Sequence, residues 1–187
     1  MAADKERFTL PRRLFITGTG TDVGKTILAA ILMAGLRGVY WKPVQSGLEA
    51  ATDTQWIQQA TGLPEHHFHP ERHRLRRPLS PHASAALDEV CIELADFRAP
   101  DPAPRDHLIV EGAGGVLVPL NDRHFMLDLI FQLGLPVLLV ASSRLGTINH
   151  TLLTLNALRS RRVPVVGVVL NGPRDESNRV AIEHYGQ

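Results

Sequence analysis

The sequence predicts an α/β domain, built as a doubly wound, mainly parallel sheet flanked by helices. Three observations predict it. Apolar runs of strand length recur along the chain and alternate with segments of helical composition. Two of those runs, LPVLLVAS (135–142) and VPVVGVVLN (163–171), are apolar without alternation. Such runs imply burial on both faces, hence parallel strands covered by helices. The first run leads through a glycine-rich turn straight into a helix, the opening unit of a doubly wound sheet.

The elements follow in order. RLFIT (13–17) reads as a buried strand, and GKTILAAILMAGLRG (24–38) as a run of helix formers closed by a glycine. VYWKPV (39–44) reads as a second strand cut by Pro43, and DTQWIQQATG (53–62) as a short helix capped by Asp53. Residues 62–79, rich in Pro, His and Arg, read as an irregular connector. SPHASAALDEV (80–90) predicts a helix with Pro81 in its first turn. DHLIVEGAGG (106–115) is a strand running into a glycine turn. TINHTLLTLNALRS (147–160) is a helix between the two apolar strands. Residues 1–12 are expected to be a mobile lead-in and 13–187 a single domain, for which 187 residues supply a sizeable core.

Composition narrows the function classes. Twenty Lys and Arg against 19 Asp and Glu leave a net charge of +1, which gives no electrostatic case for nucleic acid or a membrane surface. No apolar run approaches the roughly 20 residues of a membrane span, and the charged N-terminus reads as no secretory signal. The lone Cys91 rules out an internal disulfide and points to a reducing, cytoplasmic setting. Between Val90 and Ile92 it reads as a small buried hydrophobe. His66, His67, His69 and His73 show no zinc spacing, and the neighbouring arginines carry no aromatic interleaving. That stretch reads as a solvated connector.

TGTGTDVGKT (17–26) carries the chemistry. A strand, a glycine-rich turn and a helix opening on Gly-Lys-Thr make a phosphate cradle, because free N–H groups and the positive end of the helix dipole converge there. Lys25 can reach the β- and γ-phosphates, and the Thr26 hydroxyl can ligate Mg²⁺. The spacing is G-x5-G-K-T from Gly18. VYWKPVQSG puts a second lysine, Lys42, at a strand end with Ser46 four residues on. Glu111 ends the buried strand LIVE, where a phosphate-loop enzyme places a second metal-directed carboxylate. His82 reads as a helix-start residue.

GTGTDVGKT, WKPVQSG, PLSPHASA, EGAGGVLVPL and LGTINHTLLTLNAL, in that order over about 13–175, resemble the dethiobiotin synthetase family of phosphate-loop enzymes. The resemblance implies a ligase that uses ATP and Mg²⁺ to close a ureido ring on 7,8-diaminononanoate with CO2 or bicarbonate. It implies catalytic roles for Lys42, Lys25 and Thr21, and substrate contacts from Ser46. Only this resemblance makes His82 equally a substrate contact. Thr26, Asp53 and Glu111 are implied around Mg²⁺. Asp22, Val23, Gly24, Lys25, Thr26 and Ile27, with Glu111, Gly112, Ala113 and Gly114, are implied to line the nucleotide, and Asn171 and Gly172 to lie near adenine. It also implies a homodimer with composite sites, in which Leu145, Gly146, Thr147, Ile148 and Asn149 at a helix start receive the substrate carboxylate of the other subunit.

Gly20 and Asp22 depart from the Asp and Glu of the family pattern. That pattern also implies a later Gly-x-Ile-Pro strand beyond NRVAIEHYGQ that helps hold the adenine, so the expectation is either a truncated C-terminal end or missing nucleotide contacts. Two rival readings share the loop. A partition-type regulatory ATPase would carry a lysine early in the loop, where Thr17, Gly18 and Thr19 stand, and gives the Lys42–Ser46 pair no role. A cobyrinate-type amidotransferase synthetase would need a glutaminase domain.

Overall fold

The computed structural model describes residues 9–103 and 106–187. The expected lead-in lies largely outside the described residues; of it, Leu10 packs against the sheet. A six-stranded sheet is built from β1 (Arg13–Gly18), β2 (Val39–Trp41), β4 (Phe68–His69), β6 (Leu108–Gly115), β7 (Val137–Ser142) and β8 (Val165–Asn171). Its order is β4-β2-β6-β1-β7-β8, and every neighbouring pair is parallel. From β1 the chain winds out to one edge, returns to β6 beside β1, then crosses to β7 and β8. The winding therefore reverses around β1, where open α/β sheets place their ligand crevice.

Helices cover both faces. On one, α1 (Lys25–Leu36) and α2 (Asp53–Thr61) close a core of Leu14, Ile16, Ala29, Met33, Tyr40, Ile57 and Ile109. On the other, α3 (Pro81–Leu87), α4 (Met126–Leu133) and α5 (Thr147–Ser160) cover Phe15, Trp41, Val110, Leu139 and their neighbours. Strand alternation assigns the faces: Leu14 and Ile16 turn to α1, and Phe15 between them turns away. α6 (Glu176–Tyr185) lies beside α5, where the Arg159 guanidinium donates to the Gly186 carbonyl.

Several expectations change. β7 is buried on both faces, but β8 is only half-buried along Val165–Leu170, because it is an edge strand. Pro43 cuts VYWKPV as expected, but the residues after it form β3 (Val44–Ser46) in a second sheet. β3 pairs in parallel with β5 (His73–Leu75), so the 62–79 connector holds β4, β5 and a 3₁₀ turn at Glu65–His67. Its histidines are not all solvated either: His73 is buried, and His67 Nδ1 lies 2.6 Å from the Gly38 carbonyl. Thr52, not Asp53, caps α2 through a reciprocal capping box with Gln55. α1 ends on a left-handed Arg37 rather than on Gly38. Cys91 is exposed, not buried, with Sγ 3.2 Å from Glu93 Oε1.

Candidate active site at the phosphate loop

The site grows from three strand ends on the α1 side of the sheet. Tyr40 and Ile109 sit opposite each other in the β2–β6 register and face the core under α1. Two residues on, the same alternation brings Lys42 and Glu111 to that face, past the apolar layer. Buried polar groups there need partners. Glu111 is 0% exposed and Lys42 is 5% exposed. Glu111 Oε1 accepts from Thr26 Oγ1 at 2.9 Å and lies 3.1 Å from Lys42 Nζ; Glu111 Oε2 accepts from the Tyr40 hydroxyl at 3.0 Å. Lys42 Nζ also donates to Asp53 Oδ2. Capping by Thr52 leaves the Asp53 carboxylate free for this contact, while the Asp53 N–H donates to Gln45 Oε1 at 3.2 Å.

The loop completes the cleft. Asp22 adopts a left-handed conformation, φ 57°, and Gly24 takes φ 100° as N-cap of α1 with no side-chain cap. A Cβ on Gly24 would fall 2.1 Å from Asn171 Nδ2, so only glycine fits. Asn171, from the end of β8, donates to the Val23 carbonyl at 3.0 Å and ties the loop to the sheet. Lys25 Nζ donates to the Gly20 carbonyl at 2.8 Å.

The two lysines differ electrostatically. Burial and the nearby Lys42 charge push Lys25 down to about 8, against weaker support from Glu111 and Asp53. Burial also opposes the charge on Lys42, but Glu111 and Asp53 outweigh it and hold its pKa above the ordinary lysine value. Lys42 is therefore a fixed cation and Lys25 a conditional one. Burial first, then Glu111, raises the Tyr40 hydroxyl well above its usual range, so it acts as a neutral donor.

A cleft of about 760 Å³ brings together Thr21, Asp22, Gly24, Lys25, Thr26, Ile27, Lys42, Ser46, Asp53, Glu111, Ala113 and Gly114. Ser46 Oγ is buried in its wall with no hydrogen-bond partner among the described residues. Val23 and Gly112 stand behind the lining: Val23 is buried, and Gly112 packs against Phe15. Gly172 follows Asn171 against Ser143. Leu145, Gly146, Thr147, Ile148 and Asn149 do not line this cleft. Gly146 caps α5 at φ 94°, Leu145 is fully exposed, and the Thr147 side chain turns inward. Exposed His82 also stands outside, near Ser80 Oγ.

Sequence reasoning missed Tyr40 and Gln45, while the PLSP start of the PLSPHASA motif, Pro78 to Pro81, lines one side of the cleft. Tyr40 was detectable from its period-two spacing to Lys42.

The donors Thr26 Oγ1, Asp53 carboxylate and Glu111 Oε1 are hard oxygens, which suit Mg²⁺. Among the described residues, no group of three or more His, Cys, Asp or Glu is arranged to hold a metal by itself. Among the described residues, no helix is long and apolar enough to cross a membrane.

A family profile described as an AAA domain matches residues 12–187. The chain is 47% identical over 175 residues to the "ATP-dependent dethiobiotin synthetase BioD" of Paramagnetospirillum magneticum, covering 94% of this chain and 83% of that one. It is 48% identical over 174 residues to the protein of the same name from Agrobacterium fabrum, covering 93% and 81%. The chain belongs to the ATP-dependent dethiobiotin synthetase family. It also matches the "Biotin biosynthesis bifunctional protein BioCD" of Bordetella avium at 47% identity, covering 95% of this chain but 38% of that one. These relatives are dethiobiotin-synthetase and biotin-biosynthesis proteins rather than partition-type regulators.

Proposed function

We propose that the chain is an ATP- and Mg²⁺-dependent ligase that forms dethiobiotin from 7,8-diaminononanoate and CO2. The observation that carries this reading is Lys42: a buried lysine held between two carboxylates, beside a phosphate loop. One substrate amine adds to CO2 and loses a proton, giving a carbamate. A carbamate oxygen attacks the γ-phosphorus, and ADP leaves. The second amine attacks the carbonyl carbon of the carbamic–phosphoric anhydride, and phosphate leaves with closure of the ureido ring. These steps bring together several anionic groups, so fixed cations and N–H groups supply the catalysis. Lys42 suits the carbamate because its raised pKa makes it a charge rather than a base. Lys25 and the α1 N-terminus suit the phosphates. Thr26, Asp53 and Glu111 would hold Mg²⁺, which would supply neutralisation of the phosphate charge. Thr21 and Ser46 line the cleft in which the diamine would lie.

The substrate carboxylate falls in this reading to the α5 N-terminus of a second copy. The exposed Leu145 and the apolar surface of Leu117 and Leu153 support a homodimer with shared sites. The proposed compartment is the cytoplasm, where ATP is supplied and an exposed thiol such as Cys91 stays reduced.

The test is ATP turnover with and without diaminononanoate and ¹³C-bicarbonate. Diamine-dependent turnover, with one labelled carbon in the product, is the expected result. Turnover indifferent to the diamine would instead favour a regulatory ATPase.

A further inference from the structure

Glu111 has two oxygens with different neighbours. Oε1 meets Thr26 and Lys42 at the cleft, whereas Oε2 is held by Tyr40, whose ring is fully buried. The Tyr40 ring packs edge-on to Phe68, with centroids 6.2 Å apart. Its hydroxyl therefore has little freedom to follow Glu111 if the carboxylate turns. We propose that Tyr40 is a positioning residue that restricts Glu111 to one cleft-facing oxygen and so biases the site toward Mg²⁺ over larger cations. This inference rests on the metal role given to Glu111 above.

The physical reason is coordination geometry. Mg²⁺ demands a near-octahedral shell at about 2.0–2.1 Å and readily takes single carboxylate oxygens. Ca²⁺ accepts six to eight ligands at about 2.3–2.6 Å and often takes both oxygens of one carboxylate. Bidentate use of Glu111 would turn Oε2 toward the cation and strain its bond to the buried Tyr40 hydroxyl. A cation that gains from the second oxygen is penalised by that strain. One that uses Oε1 alone is not. Thr26 and Lys42 cannot supply this discrimination, since both engage the oxygen already facing the cleft.

The test measures Mg²⁺ and Ca²⁺ binding by calorimetry on the full chain with a non-hydrolysable ATP analogue. Wild type, Tyr40→Phe, Glu111→Gln and the double variant are compared. Tyr40→Phe keeps the ring and should raise the Ca²⁺:Mg²⁺ affinity ratio roughly tenfold, the scale of one hydrogen bond to a charged group. In the Glu111→Gln background the same change should leave the ratio unmoved. Loss of packing alone would lower the melting temperature without shifting the ratio. If Glu111→Gln weakens Mg²⁺ but Tyr40→Phe leaves the ratio unchanged, the inference fails and the metal reading stands. If Glu111→Gln leaves Mg²⁺ binding intact, the metal reading fails and takes this one with it. Should Tyr40→Phe not fold, the wild type decides by infrared difference spectroscopy on Mg²⁺ addition, with Glu111→Gln assigning the band. A wide separation of the carboxylate stretches supports one-oxygen ligation; a narrow one overturns it.

Discussion

Helices α1 and α5 begin in the same way and end up in different surroundings. Both take a left-handed glycine as N-cap, Gly24 at φ 100° and Gly146 at φ 94°, and neither has a side-chain cap. By contrast, α2 and α6 are capped by Thr52 and Asp175 side chains. Leaving N–H groups uncapped keeps them available to an anion. At α1 the chain encloses that end with Lys25, Lys42, Glu111 and the Asn171 brace. At α5 nothing comparable surrounds it: Leu145 stands fully exposed, and a Cβ on Gly146 would meet only His150 at 3.5 Å. The difference teaches that one open helix start is enclosed by charged side chains of its own chain, whereas the other is not, and the proposed shared site would require a second copy there.

The sharpest break in the comparison is Lys42→Ala. It removes a preorganised charge from the α1 cleft and should cut dethiobiotin formation by about 10²–10³, roughly 3–4 kcal/mol. ATP binding, measured alongside, should persist and show that the variant is folded. Near-normal turnover would remove Lys42 from the chemistry. Glycine substitution comes next. Gly24→Ala meets both a left-handed backbone and Asn171, and should cost about 2–3 kcal/mol of stability together with nucleotide affinity. Gly146→Ala meets only the backbone penalty, about 1–2 kcal/mol. Denaturant midpoints for the two variants check this; equal losses would show that the Asn171 brace contributes nothing.

How much of this was legible depends on where the signal resides. β1, β6, β7, β8, α1 and α5 follow from long apolar runs and helical composition, and their contacts confirm the winding. The β3–β5 pair does not. Each strand has three residues, Gln45 and Arg74 sit at its centre, and the partner lies some thirty residues away, so only tertiary contact specifies it. Within the site, the phosphate loop, Lys42 and Glu111 were visible because chemically demanding residues stand at strand ends. Tyr40 was hidden because a tyrosine in an apolar strand reads as core, which it also is. Asp53 reads as a cap from sequence because aspartate caps helices well. Thr52 with Gln55 three residues on was the better signal. Cys91 was read from its apolar neighbours, but only Ile92 turns inward, while Val90 and Cys91 face solvent.

The conditional charge on Lys25 sharpens the comparison from the α1 side. Its pKa is lowered from 10.5 to about 8, so the folded chain disfavours the proton. The penalty is present in full below about 8 and fades as pH rises toward 10.5, so this group adds stability with rising pH in that window. A bound triphosphate reverses the sign by favouring the ammonium. Nucleotide binding at pH 8.5 should therefore take up a proton, with affinity falling up to about tenfold per pH unit above 8. At pH 7 uptake should be small. Calorimetry in buffers of different ionisation enthalpy measures it, and Lys25→Met should abolish the uptake. Uptake that survives in the variant would assign the proton elsewhere.

The smallest effect probes α5. A proline at 146 would be uninformative, since φ 94° is closed to proline and the helix start would be rebuilt. Leu145→Asp is cleaner: the side chain is fully exposed, so folding should be untouched, and a carboxylate appears beside the N–H groups proposed to receive the substrate's own. A local charge at a helix end is worth about 0.3–1 kcal/mol, so the KM for the diamine should rise about two- to fivefold with ATP affinity unchanged. The stronger use of this variant is in mixing. If sites are shared, a dimer of one Lys42→Ala chain and one Leu145→Asp chain holds one doubly altered site and one with both native residues. At substrate levels below KM, exchanging subunits between the two samples should then lift activity above their average. If each site lies within one chain, the mixed dimer pairs a dead site with a weakened one, and exchange changes nothing. Activity that stays at the average after verified exchange would leave the α5 terminus without a part in the reaction.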